Sequence, residues 1–378
     1  MNYYVIAGEA SGDLHASNLI KELKSIDNDS TFRCWGGDLM REQGGELVKH
    51  YKDLAFMGFV EVLANLKTIL SNIDFCKKDI LAFRPDAIIL IDYPGFNLRI
   101  AEWAHEKGIK VFYYISPQVW AWHQSRVIKM KKNIDHLFVI LPFEKDFFSS
   151  HGMEVDFVGH PLLDAIENHT IGKANGESVD FFEKNTHPEK PIIALLPGSR
   201  KQEVKAMLPL MVEMSKDYPQ YKFVIAGVNT LQQGFYLQIL KETAIEIVYG
   251  QTYNLLKHAY AALVTSGTAT LETALLNVPQ VVCYKGNFIS YAIARKFLKV
   301  KYISLVNLIM DKAVIAELIQ NDFNINTLKK EFKKITLDES FRNQLKEEYQ
   351  ELRIKLGGSG ASAKTAQLIV EYMNHPKI

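Results

Sequence analysis

Ten short apolar runs, each leading into a longer segment of helical period, divide this chain into two sets of five, and no other feature restricts its fold as tightly. The first set is residues 3–7, FRCW (32–35), AIILI (87–91), VFYYI (111–115) and LFVIL (137–141). The second is IIALL (192–196), KFVIA (222–226), IEIV (245–248), AALV (261–264) and QVVCY (280–284). Runs that are apolar throughout belong to strands covered on both faces, and their alternation with helices gives parallel α/β layers. Between the sets lies the polar stretch ENHTIGKANGESVD (167–180), read as part of a linker. Two successive Rossmann-like halves, joined near residue 170, are the simplest arrangement. Ligands then bind at the carboxyl ends of strands, in a cleft between the halves. From Ile325 to Tyr372 the alternation gives way to charged helical sequence, broken once by GGSG (357–360).

Other classes are excluded by composition. At 378 residues the chain has room for two ordinary domains. Forty-four basic against forty-three acidic side chains give a net charge of +1, without the basic field that nucleic-acid binding requires. Three scattered cysteines, Cys34, Cys76 and Cys283, form no CxxC pair and fit a reducing compartment. The start, Met1-Asn2-Tyr3-Tyr4, has no basic region ahead of a long apolar core, so no signal peptide is read. The most apolar long segment, residues 54–70, falls short of the roughly 20 residues that cross a bilayer and is interrupted by Glu61 and Lys67.

The chemistry is expected in loops that follow strands. GEASGD (8–13) sits where a phosphate cradle often lies, yet Glu9 and Asp13 would repel a phosphate. In IDYPGFN (91–97), Asp92 ends a strongly apolar strand, where a carboxylate serves either as a general base or as a turn-forming Asx. ISPQVWAWHQSR (115–126) crowds two tryptophans, a histidine and an arginine into one turn, either against a ligand or into the core. His160 in VGHPLLD carries little weight alone. In LLPGSRKQE (195–203), Pro197 and Gly198 make a turn, Ser199 can cap the next helix, and Arg200 stands at its start. A cation there opposes the helix dipole; a diphosphate explains it, as does an ion pair with Glu203. TSGTATLE (265–272) keeps the cradle logic. Small residues expose N–H groups at a helix start, with Glu272 one turn on toward a ribose, the plain alternative being an N-cap with nothing bound. Neither a metal-binding pattern nor GxGxxG is present.

Together, GEASGD, IDYPGFN, SPQVWAWHQSR, FVGHPLLD, LLPGSRKQE and SGTATLE, in this order, resemble the lipid-A-disaccharide synthase family of inverting glycosyltransferases. The resemblance implies an α/β, GT-B architecture: two Rossmann-like domains facing across a cleft, with a helical C-terminal tail. The expected boundaries are 1–168 for an acceptor- and membrane-facing domain and 169–345 for a UDP-sugar domain. Helices in 346–378 are expected to pack back on the N-terminal domain of the same or a partner chain. The implied reaction moves 2,3-diacylglucosamine from UDP-2,3-diacylglucosamine to the 6-hydroxyl of 2,3-diacylglucosamine 1-phosphate (lipid X). Its products are a β-1,6-linked tetraacyl disaccharide 1-phosphate and UDP, formed without metal or cofactor. The implied setting is the cytoplasmic face of the inner membrane, with peripheral attachment and a second copy of the chain as a candidate partner.

By motif, Asp92 resembles the general base, and Glu9 and Ser11 match functional positions in the first loop. The UDP set is Ser199, Arg200, Ser266, Gly267, Thr268 and Glu272. Asn307, in SLVNLI, matches another polar position, although Val306 stands where the family has proline. Gln118 and His160 complete the polar set. Phe56, Met57, Phe59, Val60 and Leu63 are apolar beyond one core-facing stripe, so they are assigned to membrane or acyl contact, with Arg126, Lys129, Lys131 and Lys132 beside anionic headgroups; a buried helix is the plain alternative. Two other functions stay open: another GT-B enzyme acting on UDP-GlcNAc (glycosyltransferase or 2-epimerase), and a non-catalytic UDP-sugar-binding protein.

Overall fold

The computed structural model describes residues 1–53, 66–122, 124–174, 190–241, 243–286 and 301–375. The chain forms two compact units, one of Met1–Ala165 with Leu356–Ile378, the other of Ile166–Lys355.

The first unit holds a parallel sheet of β1 (Asn2–Ala7), β2 (Thr31–Gly36), β3 (Glu46–His50), β4 (Ala87–Ile91), β5 (Lys110–Tyr114), β6 (His136–Val139) and β7 (Asp156–Phe157). Their order is β3-β2-β1-β4-β5-β6-β7. Period-two alternation sends Tyr4, Ile6, Ile88, Leu90, Val111 and Tyr113 to one face. Tyr3, Val5, Ile89, Ile91, Phe112 and Tyr114 go to the other. The first face is covered by helices Leu66–Phe83, Pro94–Glu106 and Arg126–Asn133 through Ile73, Ile80, Ile100 and Met130. The second is covered by helices Ala10–Ile26 and Ala361–Asn374 through Leu19, Ile20, Ala366 and Ile369.

The second unit repeats the plan with β8 (Ile192–Leu196), β9 (Lys222–Gly227), β10 (Glu246–Tyr249), β11 (Ala259–Thr265), β12 (Gln280–Tyr284) and β13 (Ala316–Ile319). All its pairings are parallel, in the order β10-β9-β8-β11-β12-β13. Residues 167–174, read from sequence as linker, instead continue a helix, Leu162–Ala174. Its start is apolar and buried at Leu162, Leu163 and Ala165, which overrides the weak helix propensity of its polar second half.

The C-terminal helix is docked by polar groups. Asp164 accepts hydrogen bonds from the Gly360 N–H (2.6 Å) and the Ser362 N–H (2.8 Å), capping that helix. His160 N–H donates to the Leu356 carbonyl at 3.1 Å, and its Nδ1 accepts from the Leu162 N–H. Gly159 lies so close to this junction that a Cβ would stand 3.3 Å from the Leu356 oxygen. His160 and His15 are buried. Burial depresses His15 to about 4, with Asp164 opposing, and His160 to about 3, with His15 assisting. Both therefore stay neutral in the folded unit.

This sets a sign for acid stability. Below pH 6.5 the unfolded chain binds protons that the folded imidazoles exclude. Their contribution is complete above pH 6.5 and is lost as pH falls toward about 4 for His15 and about 3 for His160, by at most about 1.4 kcal/mol per pH unit each. Glu144, raised to about 7, and Asp92, raised to about 6, act in the opposite sense. Comparison with variants isolates the imidazoles: thermal unfolding of His15→Gln and His160→Asn loses less stability between pH 7 and 5 than the parent. Equal slopes in all three proteins contradict the assignment.

Candidate active site

In the first unit, β1, β4 and β5 end level, with Ala7 paired to Ile91 and Ile91 to Tyr114. The loops that begin at Gly8, Asp92 and Ile115 therefore leave one edge side by side. Backbone strain gathers there. Asp92 (φ 43), Tyr93 (φ 50) and Ile115 (φ 67) all occupy the left-handed region. For residues with a Cβ this costs about 1–3 kcal/mol each, and it persists where surrounding structure enforces it. Asp92 is exposed at the surface, yet it stands directly at the sheet end beside Glu9 and the Tyr93 N–H. Loss of hydration there, then the charge of Glu9, pushes its carboxyl up to about 6, while the Tyr93 N–H bonded to it works the other way. A covering substrate would remove more water and raise it further. A carboxylate poised near neutrality suits proton abstraction.

The two acids of GEASGD have different duties. Asp13 is buried, its Oδ1 accepting from the Gly37 N–H (2.8 Å) and Met40 N–H (3.1 Å), and its Oδ2 from the Leu39 N–H (3.2 Å). It caps the short helix Asp38–Glu42 from a distance in sequence that no local pattern reveals. Gly8 lies under the Tyr93 ring, where a Cβ would stand 2.3 Å from Cγ. That contact seats the first loop against the Asp92 loop. Glu9 and Ser11 are left exposed at the start of helix Ala10–Ile26.

Next along the edge, Gln118 is exposed, whereas Trp120 is buried, donating Nε1–H to Glu144 (3.1 Å) and packing on Phe143. Trp120 is thus core rather than a stacking platform. Glu144, not singled out from sequence, also accepts the Leu141 N–H (2.9 Å) and the Ile140 N–H (3.2 Å). Burial raises it to about 7, with these bonds opposing. Its signal was present: proline at the first helical position and glutamate at the third mark a helix start at LPFE.

In the second unit, β8 and β11 are neighbours with Leu196 paired to Val264, so the Arg200 and Ser266 loops leave adjacent strands at one end. Arg200, not Ser199, is the N-cap residue of helix Lys201–Ser215. Glu203 accepts both the Ser199 N–H (3.1 Å) and the Arg200 N–H (3.2 Å), and its other oxygen lies 3.8 Å from the Arg200 guanidinium. The ion pair foreseen as the plain alternative therefore exists, but Arg200 remains largely exposed and an exposed pair contributes little. A recess of about 910 Å³ opens beside it, lined among others by Lys205, Leu210, Tyr284 and Phe323. Ser266 donates to the Ile303 carbonyl (3.0 Å), and Gly267 and Thr268 are exposed. Glu272 accepts the Tyr253 hydroxyl at 3.0 Å and is raised by burial, with that bond opposing.

Asn307 lies inside the second unit. Its Nδ2 donates to the Ile315 carbonyl and to Glu317, both at 2.9 Å. Its Oδ1 accepts from Val314 (2.9 Å) and Ile315 (3.0 Å). Glu317 further accepts the Ile303 and Ser304 N–H groups at 3.0 Å and the Ser304 hydroxyl at 2.7 Å. Asn307 and Glu317 thereby fix the turn whose Ile303 carbonyl holds Ser266. Nothing in the local sequence marks Glu317. His160 sits in the docking junction, in the loop that follows β7, buried and close enough to His15 to interact with it. Phe56, Met57, Phe59, Val60 and Leu63 lie outside the described residues.

A family profile described as "Lipid-A-disaccharide synthetase" matches residues 3–372. The lipid-A-disaccharide synthase of Syntrophus aciditrophicus is 39% identical over 369 residues, 96% of this chain and 95% of its own. That of Trichlorobacter lovleyi is 36% identical over 372 residues, 97% and 96%. In backbone the chain is similar to a UDP-GlcNAc 2-epimerase of Neisseria meningitidis solved with UDP-GlcNAc, at a TM-score of 0.63 and 14% identity over 99% of this chain and 100% of that one. It is also similar to the kitacinnamycin glycosyltransferase, at a TM-score of 0.64 and 14% identity, covering 98% of each.

Because Glu9 is the charge that assists burial in raising Asp92, Glu9→Gln lowers the Asp92 pKa below about 6. Carboxyl ¹³C titration, with Asp92→Asn to assign the resonance, measures it. An unchanged or higher value contradicts the electrostatic coupling.

Proposed function

The chain belongs to the lipid-A-disaccharide synthetase family, glycosyltransferases of lipid A biosynthesis with the GT-B fold, and from that premise we propose the substrates and the part each loop plays. The donor is UDP-2,3-diacylglucosamine and the acceptor is 2,3-diacylglucosamine 1-phosphate. The observation that carries the scheme is Asp92: a strained strand-end carboxyl raised to about 6, with Glu9 as its neighbouring charge.

Asp92 takes the proton of the acceptor 6-hydroxyl as that oxygen forms its bond to the donor anomeric carbon. The bond from that carbon to the diphosphate oxygen breaks on the opposite side, its electron pair leaving with UDP. One displacement inverts the centre, from α donor to β product. Negative charge grows on the leaving diphosphate, and Arg200 with the N–H groups of the Ser266–Thr268 turn stabilises it more in the transition state than in the ground state. A diphosphate also competes for the Ser199 and Arg200 N–H groups that Glu203 occupies in the free unit. Glu272 is assigned to the ribose, and Glu9 with Ser11 to the sugar hydroxyls beside Asp92.

Both substrates are lipids, which supports peripheral attachment to a membrane. Among the described residues no helix is long and apolar enough to cross one. Helix Arg126–Asn133 supports attachment: Ile128 is 76% exposed among the exposed Lys129, Lys131 and Lys132. The apolar residues Phe56 and Met57 are assigned to the same contact.

With UDP-2,3-diacylglucosamine and lipid X, Asp92→Ala lowers kcat by about 10²–10⁴ while UDP still binds. Arg200→Ala weakens UDP by about 10- to 100-fold, the range for hydrogen bonds to a charged group. Near-parental turnover in the first variant, or unchanged UDP affinity in the second, overturns the corresponding assignment. In flotation with anionic liposomes, Phe56→Ser/Met57→Ser and Ile128→Ser each recover less protein than the parent; equal recovery contradicts membrane contact.

A further inference from the structure

Behind Asp92, two side chains that the reaction scheme leaves unused converge on one atom. The Asp92 carbonyl oxygen accepts the Tyr113 hydroxyl at 2.5 Å and the Asn97 Nδ2–H at 2.8 Å. Both side chains are fully buried, and neither was singled out from sequence. Asn97 Nδ2 also lies 3.2 Å from the Ile91 carbonyl and 3.4 Å from that of Ile6, where β4 and β1 end. On the other side of the same residue, the Asp92 N–H donates to the Tyr114 carbonyl of β5 at 3.1 Å.

This arrangement addresses a definite mechanical need. Asp92 and Tyr93 are the only consecutive non-glycine residues with positive φ among those described. A left-handed turn rotates the Asp92 carbonyl out of the sheet ladder, so that no strand N–H serves it. A buried carbonyl without a donor is unfavourable, and left to itself the peptide would rotate until it found one. Rotation of that peptide swings the Asp92 carboxylate, and displacement by about an ångström is enough to slow proton transfer severely. We propose that Asn97 and Tyr113 are positioning residues for the glycosyl transfer. Their two hydrogen bonds to the Asp92 carbonyl hold the strained turn in the one conformation that aims the carboxylate at the acceptor hydroxyl. The proposal rests on the reading of Asp92 as general base.

The test is a double-mutant cycle on the full chain, assayed with UDP-2,3-diacylglucosamine and lipid X, with UDP affinity and thermal unfolding as controls. Tyr113→Phe removes only a hydroxyl and Asn97→Ala only the amide. Each is expected to lower kcat by about 10- to 100-fold while KM for both substrates stays within about threefold. On the Asp92→Asn background the same substitutions are expected to change the residual rate by less than about twofold, because a group that acts through the carboxylate has nothing left to aim. If kcat is unchanged, or falls equally in both backgrounds, the two residues are structural only and the proposal is overturned. If Asp92→Asn itself turns over like the parent, the base assignment falls first, and this inference with it. Should one substitution prevent folding, the other decides in the same way.

Discussion

Burial of both faces of each parallel sheet is the constraint on which the rest of the structure depends. Along β1 and β4 every side chain from Tyr3 to Ala7 and from Ala87 to Ile91 is fully buried, so a polar group held there needs a partner. Chemistry is confined to the places where strands end. In this enzyme those ends carry the side chains that break local rules: a carboxyl in a left-handed turn at Asp92 and an arginine at a helix start at Arg200.

The strand-end loops of the two units carry different polar groups. In the first unit the exposed carboxyls at this edge are Glu9 and Asp92, the latter raised by loss of hydration and by the charge of Glu9. Such an edge accepts protons and disfavours phosphate. In the second, the guanidinium of Arg200 and the exposed turn Gly267–Thr268 favour anions. The apparent contradiction of a glycine-rich but acidic first loop disappears with the structure. Gly8 serves close contact with Tyr93 and Asp13 serves a helix cap, which leaves Glu9 to act on Asp92.

Much of this was legible from sequence because burial on both faces writes itself as unbroken apolar runs. The ten runs correspond to strands, whereas β3 (ELVKH), β7 (DF) and β13 (AELI) were missed. These three lie at sheet edges, where part of the strand is exposed and the run is short or mixed with charge. Asp92 was singled out because it ends a strongly apolar strand and matches a family motif, and Arg200 because a cation at a helix start opposes the helix dipole. Asp13, Glu317, Asn97 and Tyr113 could not be found in this way, since their partners are set by tertiary contact rather than by spacing. Asn307 is a different case. It was singled out through the family resemblance alone, and in the structure all its side-chain hydrogen-bonding capacity is used within the fold.

The central claim is that Asp92 is a base whose proton affinity the fold has raised. The most direct measurement is kcat/KM against pH for the parent and for Asp92→Asn. The account predicts that the parent rate falls on the acid side with a midpoint near 6, and that the residual rate of the variant lacks this limb. A parent rate that stays level down to pH 5, or an acid limb that survives unchanged in Asp92→Asn, would contradict it.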